Sequence, residues 1–339
     1  MSDTVVKATR CLTPLLLLVA ACGGGSGSTG PSSSGSPTVT APAGTLVFRV
    51  SPIDQAAIRW ITPLGNLNPP DHTQPTDHIY FYFAVPDAGE SPVARRATFF
   101  APADGIVETL LGGAQLESKI FIRATSTLQY YLDHIIPDTT LARGAAVTAG
   151  QRLGTTGSAY AVDLGVINQA VTLAFVNPAR YISDTLHADA PLKYFEEPLR
   201  SQLYARVQRL GSDLDGRIDY DVAGRLAGNW FGELVPAAQL AFAYDTYDPS
   251  QVRIAFANAF VTGGVFAIAA GSPAPRDVSA ANGLVRYTLT RATTGLPVGG
   301  TPSNTLLVQV LNDQRIQVEL LPFPSAADAF TSAARIFIR

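Results

Sequence analysis

Two stretches, Phe100-Ala101-Pro102-Ala103-Asp104-Gly105-Ile106-Val107 and Ala146-Val147-Thr148-Ala149-Gly150-Gln151-Arg152-Leu153-Gly154, share one logic. In each, an apolar run meets a tight turn containing glycine and continues into a second apolar run. Glycine takes the φ > 0 conformation of such turns at little cost, so both stretches predict strand–turn–strand units. Working outward, Leu46–Val50, His78–Phe83, Ala97–Phe100 and Lys119–Arg123 are short, aromatic and β-branched, and Gly/Pro/Asp/Asn clusters separate them. They read as strands. The same pattern returns at Arg217–Tyr220, Gln239–Tyr244, Val252–Phe256, Leu284–Leu289, Thr305–Val310, Ile316–Leu320 and Arg335–Ile338.

One stretch has helical periodicity. Leu199, Leu203, Val207 and Leu210 recur at i, i+4, i+8 and i+11 within Pro198–Leu210, with the arginines on other faces. Strands do not alternate with repeated helices, which argues against a parallel α/β sheet. The expectation is a mainly β protein of two antiparallel units joined by that helix.

Composition narrows the function classes. The chain has 339 residues, 47% hydrophobic and 15% charged, with a formal net charge of −3. That excludes a disordered chain and an electrostatically driven nucleic-acid binder. No apolar run approaches the roughly 20 residues of a spanning helix, which argues against a polytopic membrane protein.

The two opening stretches resemble the β-hairpin core of the lysostaphin-type (LytM-like) zinc endopeptidases. There an Ala-Pro-Ala-Asp-Gly-x-Val segment and a Val-x-Ala-Gly-Gln-x-Leu-Gly-x-x-Gly segment flank the active groove. Thr156 and Gly157 extend the second match, and the resemblance covers roughly residues 65–168. It implies a duplicated hybrid-motif β domain, of the kind also found in biotinyl and lipoyl carriers. Those carriers need a lysine at a hairpin tip, and residues 141–168 contain none.

The resemblance also implies a ligand set: a His and an Asp four residues apart, the second His of a later His-x-His, and a further His after a Tyr. A catalytic zinc needs about three protein ligands and an open position for water. The chain has four histidines. His72 and Asp77 stand where the first pair belongs, at a spacing of five and without the family's intervening Gly. His134, in Tyr130-Tyr131-Leu132-Asp133-His134, resembles the mid-domain catalytic His. Asp163 and Gly165, in Ala161-Val162-Asp163-Leu164-Gly165, occupy the His-x-His positions, and Gly165 ligates nothing. A metal set of His72 and Asp77 is therefore incomplete unless Asp163 or His78 turns inward as third ligand. The balance favours a degenerate, non-hydrolytic domain with no cofactor. Individually, His72, His78 and His134 read equally as hydrogen-bonded groups in loops and strands, and His187 as a surface residue.

At the N-terminus, Lys7 and Arg10 precede the apolar run Leu12–Ala21, and Cys22 follows. A basic start before a short apolar core is a secretory signal. Val19-Ala20-Ala21-Cys22 resembles the lipobox of bacterial lipoproteins, which implies lipidation of Cys22 and removal of residues 1–21. The mature chain would then have one cysteine, acylated, and no disulfide. Residues 22–44 hold the lipidated Cys22 and an uncharged Gly/Ser/Pro tether, with a root-mean-square reach of about 5–6 Å times the square root of its residue count. The expected plan is a LytM-like β domain over 45–185, a connecting helix over 186–212, and a second β domain over 213–339, barrel or sandwich.

In that second part, Gly211–Val222 partly matches a calcium loop. Gly211 and Val222 stand where an oxygen ligand and a bidentate Glu are needed, so an Asp/Gly hairpin turn is the better reading. Gly228-Asn229-Trp230 is similar to small up-and-down barrels in which such a Trp plugs one end, and equally reads as plain core filling. Tyr244-Asp245-Thr246-Tyr247-Asp248-Pro249 suits a grip on a sugar or peptide, or a strand end before a Pro turn. There is no Gly-x-Ser-x-Gly, cysteine nucleophile or phosphate loop.

Three functions follow as expectations. The first is a lipid-anchored protein of the bacterial envelope, held at a membrane outside the cytoplasm, whose groove binds peptidoglycan or an envelope protein. The second is a zinc endopeptidase cleaving peptidoglycan cross-links, with His134 as general base or orienting group. The third is a structural or assembly role for residues 213–339. No nucleic-acid partner is expected.

Overall fold

The computed structural model describes residues 44–85, 88–112, 116–292 and 300–339. The expected signal segment and Cys22 lie outside the described residues. Those described fall in one compact unit, Val39–Arg339. No helix among them is long and apolar enough to cross a membrane.

The fold is mainly β. Strands β1 (Trp60–Thr62), β2 (Ile79–Tyr82), β3 (Thr98–Phe100), β4 (Gly105–Leu111), β5 (Ser118–Arg123), β6 (Leu128–Pro137), β7 (Ala146–Val147), β8 (Arg152–Thr156), β9 (Ala161–Asn168) and β10 (Ala188–Asp189) form a ten-stranded antiparallel sheet. Its main order is β1-β2-β9-β6-β5-β4-β7, with β10 on β9 and β8 joining β6 to β3. Two short helices flank β10, α1 (Ser183–Leu186) before it and α2 (Leu199–Tyr204) after it. Strands β11 (Gly228–Gly232), β12 (Gln239–Tyr244), β13 (Val252–Ala257), β14 (Gly264–Ile268), β15 (Leu284–Ala292), β16 (Asn304–Asn312), β17 (Arg315–Pro322) and β18 (Arg335–Ile338) close into an eight-stranded barrel.

The two motifs that opened the sequence reading pair with each other. β3 lies on β8 and β4 on β7, and Ala101 and Gly150 bond across the junction, Gly150 N to Ala101 O at 2.9 Å. Gly150 has φ 81°, the turn conformation expected of it. Gly105 is required for a different reason, because a Cβ there would lie 2.5 Å from Ile122 Cγ2 and 2.9 Å from the Arg123 carbonyl. Its role is close strand approach rather than a left-handed turn.

Tertiary pairing overrides local pattern at three places. The helix expected over Pro198–Leu210 stops at Tyr204, because Ile61 bonds Arg206 O and receives Gln208 N, drawing the chain onto β1. Leu199 and Leu203 are buried as their spacing predicts, whereas Leu210 is exposed. The expected strand Leu46–Val50 reduces to a single bridge, Phe48 with Phe195. Arg217–Tyr220 forms no strand, and no hairpin precedes it; the chain touches the sheet through a bridge between Gly216 and Leu64.

One core fills the space under the sheet, around Phe48, Phe81, Phe99, Tyr130, Leu164 and Phe195. A second fills the barrel with alternate strand residues, among them Leu240, Phe242, Ile254, Phe256, Phe266 and Leu306. The opposite faces of β12, β13 and β14 carry Ala241, Ala243, Ala255 and Val265, which pack against Leu67. Small residues there let the barrel wall approach the first half of the chain, and Thr62 Oγ1 meets Tyr247 Oη at 2.6 Å.

Trp230 is fully buried in the barrel core, its indole N–H donating to Leu226 O at 2.9 Å. The Arg339 guanidinium lies 4.1 Å over its ring and donates to the carbonyls of Val222, Arg225, Ala227 and Asp313. Trp230 belongs to the core that fills the barrel, which is the core-filling reading of the Trp.

Candidate functional site

The sheet gathers the site at a switch in strand pairing. β6 pairs with β9 as far as Asp133 opposite Asp163, and from Ile135 it pairs with β8 instead. His134 sits at the changeover with φ 63°, a left-handed conformation that a non-glycine residue adopts only at a cost of order 1 kcal/mol. The turn aims its imidazole sideways along the sheet. Nδ1 lies 3.1 Å from Glu117 Oε2 and Nε2 lies 3.5 Å from Asp163 Oδ2.

His78 precedes β2 and is 6% exposed. Its Nδ1 lies 3.0 Å from Asp77 Oδ1, and its Nε2 lies 3.0 Å from the Tyr80 hydroxyl and 3.3 Å from Asp163 Oδ2. Asp163 thus stands between two imidazoles, those of His78 and His134. It is 2% exposed, and its Oδ1 has no hydrogen-bond partner. His72 packs edge-on to His78, ring centroids 5.2 Å apart.

The electrostatics follow from this crowding. Burial and the neighbouring His78 lower His72 to about 4, so its imidazole is neutral at pH 7. His78 is raised: burial opposes its charge, and the carboxylates of Asp163 and Asp77 outweigh burial. His134 is raised in the same way by Asp163 and Glu117. Burial pushes Asp163 up, with the two imidazoles pulling against it. Asp77 is held well below the ordinary carboxylate range despite its burial, because His78, Thr185 and Tyr131 all bond to it.

Asp77 is fully engaged. Its Oδ1 accepts from the Tyr131 hydroxyl at 2.8 Å as well as facing His78, and its Oδ2 accepts from the Thr185 hydroxyl at 2.6 Å. Tyr131 in turn lies opposite Gly165 in the β6–β9 register. A Cβ placed on Gly165 would fall 2.1 Å from Tyr131 Cζ and 2.2 Å from its Cε1. The tyrosine ring occupies the room in which a side chain at 165 would stand. Lys119 Nζ lies 3.8 Å above the other part of this arrangement, over the Tyr131 ring.

The sequence-predicted residues are thus brought into one neighbourhood with unequal roles. His72, His78, His134 and Asp163 share one cluster, whereas Asp77 supports His78 from behind. Tyr131, Tyr80, Glu117 and Thr185 complete the network and were not singled out in the sequence. Side-chain hydrogen bonds from a loop, a helix and the β6 strand connect them. His187, expected at the surface, is half-buried, with Nδ1 2.6 Å from the Val171 carbonyl.

The zinc set that the resemblance implies is not formed in full: Tyr131 fills the space at Gly165, and both Asp77 oxygens accept hydrogen bonds, from Tyr131 and Thr185. The calcium-like loop is also spent internally: Asp215 accepts from Tyr204, Asp219 pairs with Arg217, and Asp221 accepts from the Asn229 and Val176 amides. In Tyr244–Pro249, Asp245 caps the turn through the Tyr247 and Asp248 amides and pairs with buried Arg253, which is the strand-end reading.

No family model matches this sequence, and no curated protein matches it. Among solved structures, it is similar to Csd3 of Helicobacter pylori at 16% identity, over 44% of this chain and 35% of that one, with a TM-score of 0.30. A zinc-containing peptidase from Vibrio cholerae is 19% identical over 36% of this chain and 37% of its own, at a TM-score of 0.28. Lysostaphin is 12% identical over 81% of this chain and 85% of its own, at 0.25. The chain therefore spans about a third of the length of the Csd3 and Vibrio cholerae chains, and likenesses of this extent assign no activity.

Proposed function

We propose that this chain is a lipid-anchored envelope protein whose LytM-like sheet is non-hydrolytic and binds cell-wall glycan-peptide or a partner protein. One observation carries the reading. At the position where a hydrolytic relative presents an imidazole, the chain has Gly165, and the Tyr131 ring occupies the space and ties up the neighbouring carboxylate of Asp77. Binding needs the surface and its polar groups but no metal. The buried, partnerless Asp163 Oδ1 is the one feature that favours the peptidase reading instead.

Zinc content after equilibrium dialysis, release of muropeptides from purified sacculi, and co-sedimentation with sacculi separate the two readings. The proposal expects no retained zinc, no release, and saturable co-sedimentation. Zinc near one per chain, lost with His72→Ala, together with chelator-sensitive hydrolysis, would overturn it. Membrane fractionation of Cys22→Ala tests the anchor, with release from the membrane as the expected result.

A further inference from the structure

Outside the histidine cluster, a cleft of about 690 Å³ is bordered by Arg49, Ser51 and Asp54 from the segment before β1, and by Arg95, Arg96 and Thr98 from the approach to β3. None of these residues belongs to the site described above. Three guanidinium groups and one carboxylate line it, and two of the three guanidinium groups are ion-paired outside it. Arg49 has only Asp104 at 3.6 Å, with both side chains more than half exposed. Arg95 shares the Glu90 carboxylate with Arg59, at 2.6 and 2.8 Å. Arg96 makes no ion pair among the described residues. Asp54 is occupied in part by the Ala56 amide at 2.9 Å.

A second observation is independent of charge. Ser51 is 7% exposed, and its Oγ is buried with no hydrogen-bond partner. An unsatisfied buried hydroxyl is uncommon and calls for an explanation, which a bound ligand would supply.

We propose that this cleft binds a phosphate group. A carboxylate has two oxygens, which one guanidinium fork satisfies; a phosphate has more acceptors and more charge, and it suits several forks plus hydroxyl donors such as Ser51 and Thr98. The phosphate comes either from a lipid headgroup or from a soluble or polymer-borne phosphate.

The test uses the full chain carrying Cys22→Ala, so that no acyl chain contributes, in mild detergent for the calorimetric arm. Inorganic phosphate and glycerol 3-phosphate are titrated by calorimetry, with acetate as control. Sedimentation with phosphatidylglycerol vesicles, against phosphatidylcholine, forms the second arm. Saturable phosphate binding, weakened about tenfold by Arg96→Ala and measurably by Ser51→Ala with unchanged thermal midpoints, supports the site. Binding in the first arm alone assigns a soluble or polymer source; binding in the second alone, with the same dependence on Arg96, assigns a headgroup. Absence of binding in both arms, binding indifferent to Arg96→Ala, or acetate binding as tightly as phosphate would overturn the proposal.

Discussion

Tyr131 donates its hydroxyl to Asp77 at 2.8 Å while its ring covers Gly165 directly across the β6–β9 pair. One side chain thereby does two things: it satisfies a buried carboxylate, and it fills the volume that a residue with a side chain at 165 would claim. A side chain at 165 would therefore meet the Tyr131 ring before it met anything else.

The first prediction concerns that coupling. Gly165→Ala places a Cβ 2.1 Å from the Tyr131 ring, and overpacking of this kind costs about 3 kcal/mol. In a Tyr131→Ala background the same substitution has room, and its cost falls to about 1 kcal/mol or less. Urea denaturation of the four proteins of this double-mutant cycle checks it. Additive effects of the two substitutions would refute the coupling.

A buried ion pair makes the second. Arg253 and Asp245 are 2% and 0% exposed and meet at 2.9 Å, with Asp245 also capping the turn at Tyr247 and Asp248. Arg253→Met takes the guanidinium away from that buried carboxylate, which costs about 3–5 kcal/mol. Chemical denaturation at neutral pH reads the loss, and it persists in high salt because the pair is shielded from solvent.

How far the sequence discloses the molecule depends on the range of the forces involved. Gln239–Tyr244 and Arg335–Ile338 coincide with β12 and β18, because a short apolar and aromatic run is a local property. Trp230 after Gly228 is buried, as the core-filling reading expects. The Leu199–Leu210 periodicity overruns its helix, since β1 competes for the backbone at Arg206 and Gln208 and no local signal records that competition. At the site, the sequence gathers His72, His134 and Asp163 through their likeness to a motif. It does not disclose that Asp77 is engaged by Tyr131 and Thr185, 54 and 108 residues away. Those contacts follow from the tertiary packing of β6 and α1 against the loop before β2, which composition and spacing do not encode.

The third prediction concerns Arg339. Arg339 bonds four carbonyls and covers Trp230. Arg339→Ala strands those acceptors and removes the cation from the ring face, with an expected loss of about 3 kcal/mol or more. Arg339→Lys recovers only part, because an ammonium has no planar fork to span four acceptors. Thermal unfolding followed by tryptophan fluorescence checks both, and full recovery by lysine would contradict the geometry.

The fourth concerns acid stability away from the histidine cluster. Asp189, on β10, accepts from Lys193 at 3.0 Å, Tyr194 at 2.9 Å and the Ala190 amide at 2.8 Å. Burial alone would raise its carboxyl, but the Lys193 and Tyr194 hydrogen bonds outweigh burial and lower it. A group depressed on folding contributes stability above its unfolded value of about 3.9, and that contribution is lost as pH falls through the lower folded value. Asp189→Asn therefore lowers stability at pH 7 and flattens the acid limb of the stability curve, while above pH 5 the wild-type contribution of this group is constant. Denaturation midpoints between pH 2 and pH 7 measure it; an acid limb of unchanged steepness in Asp189→Asn would show that other carboxylates govern the transition.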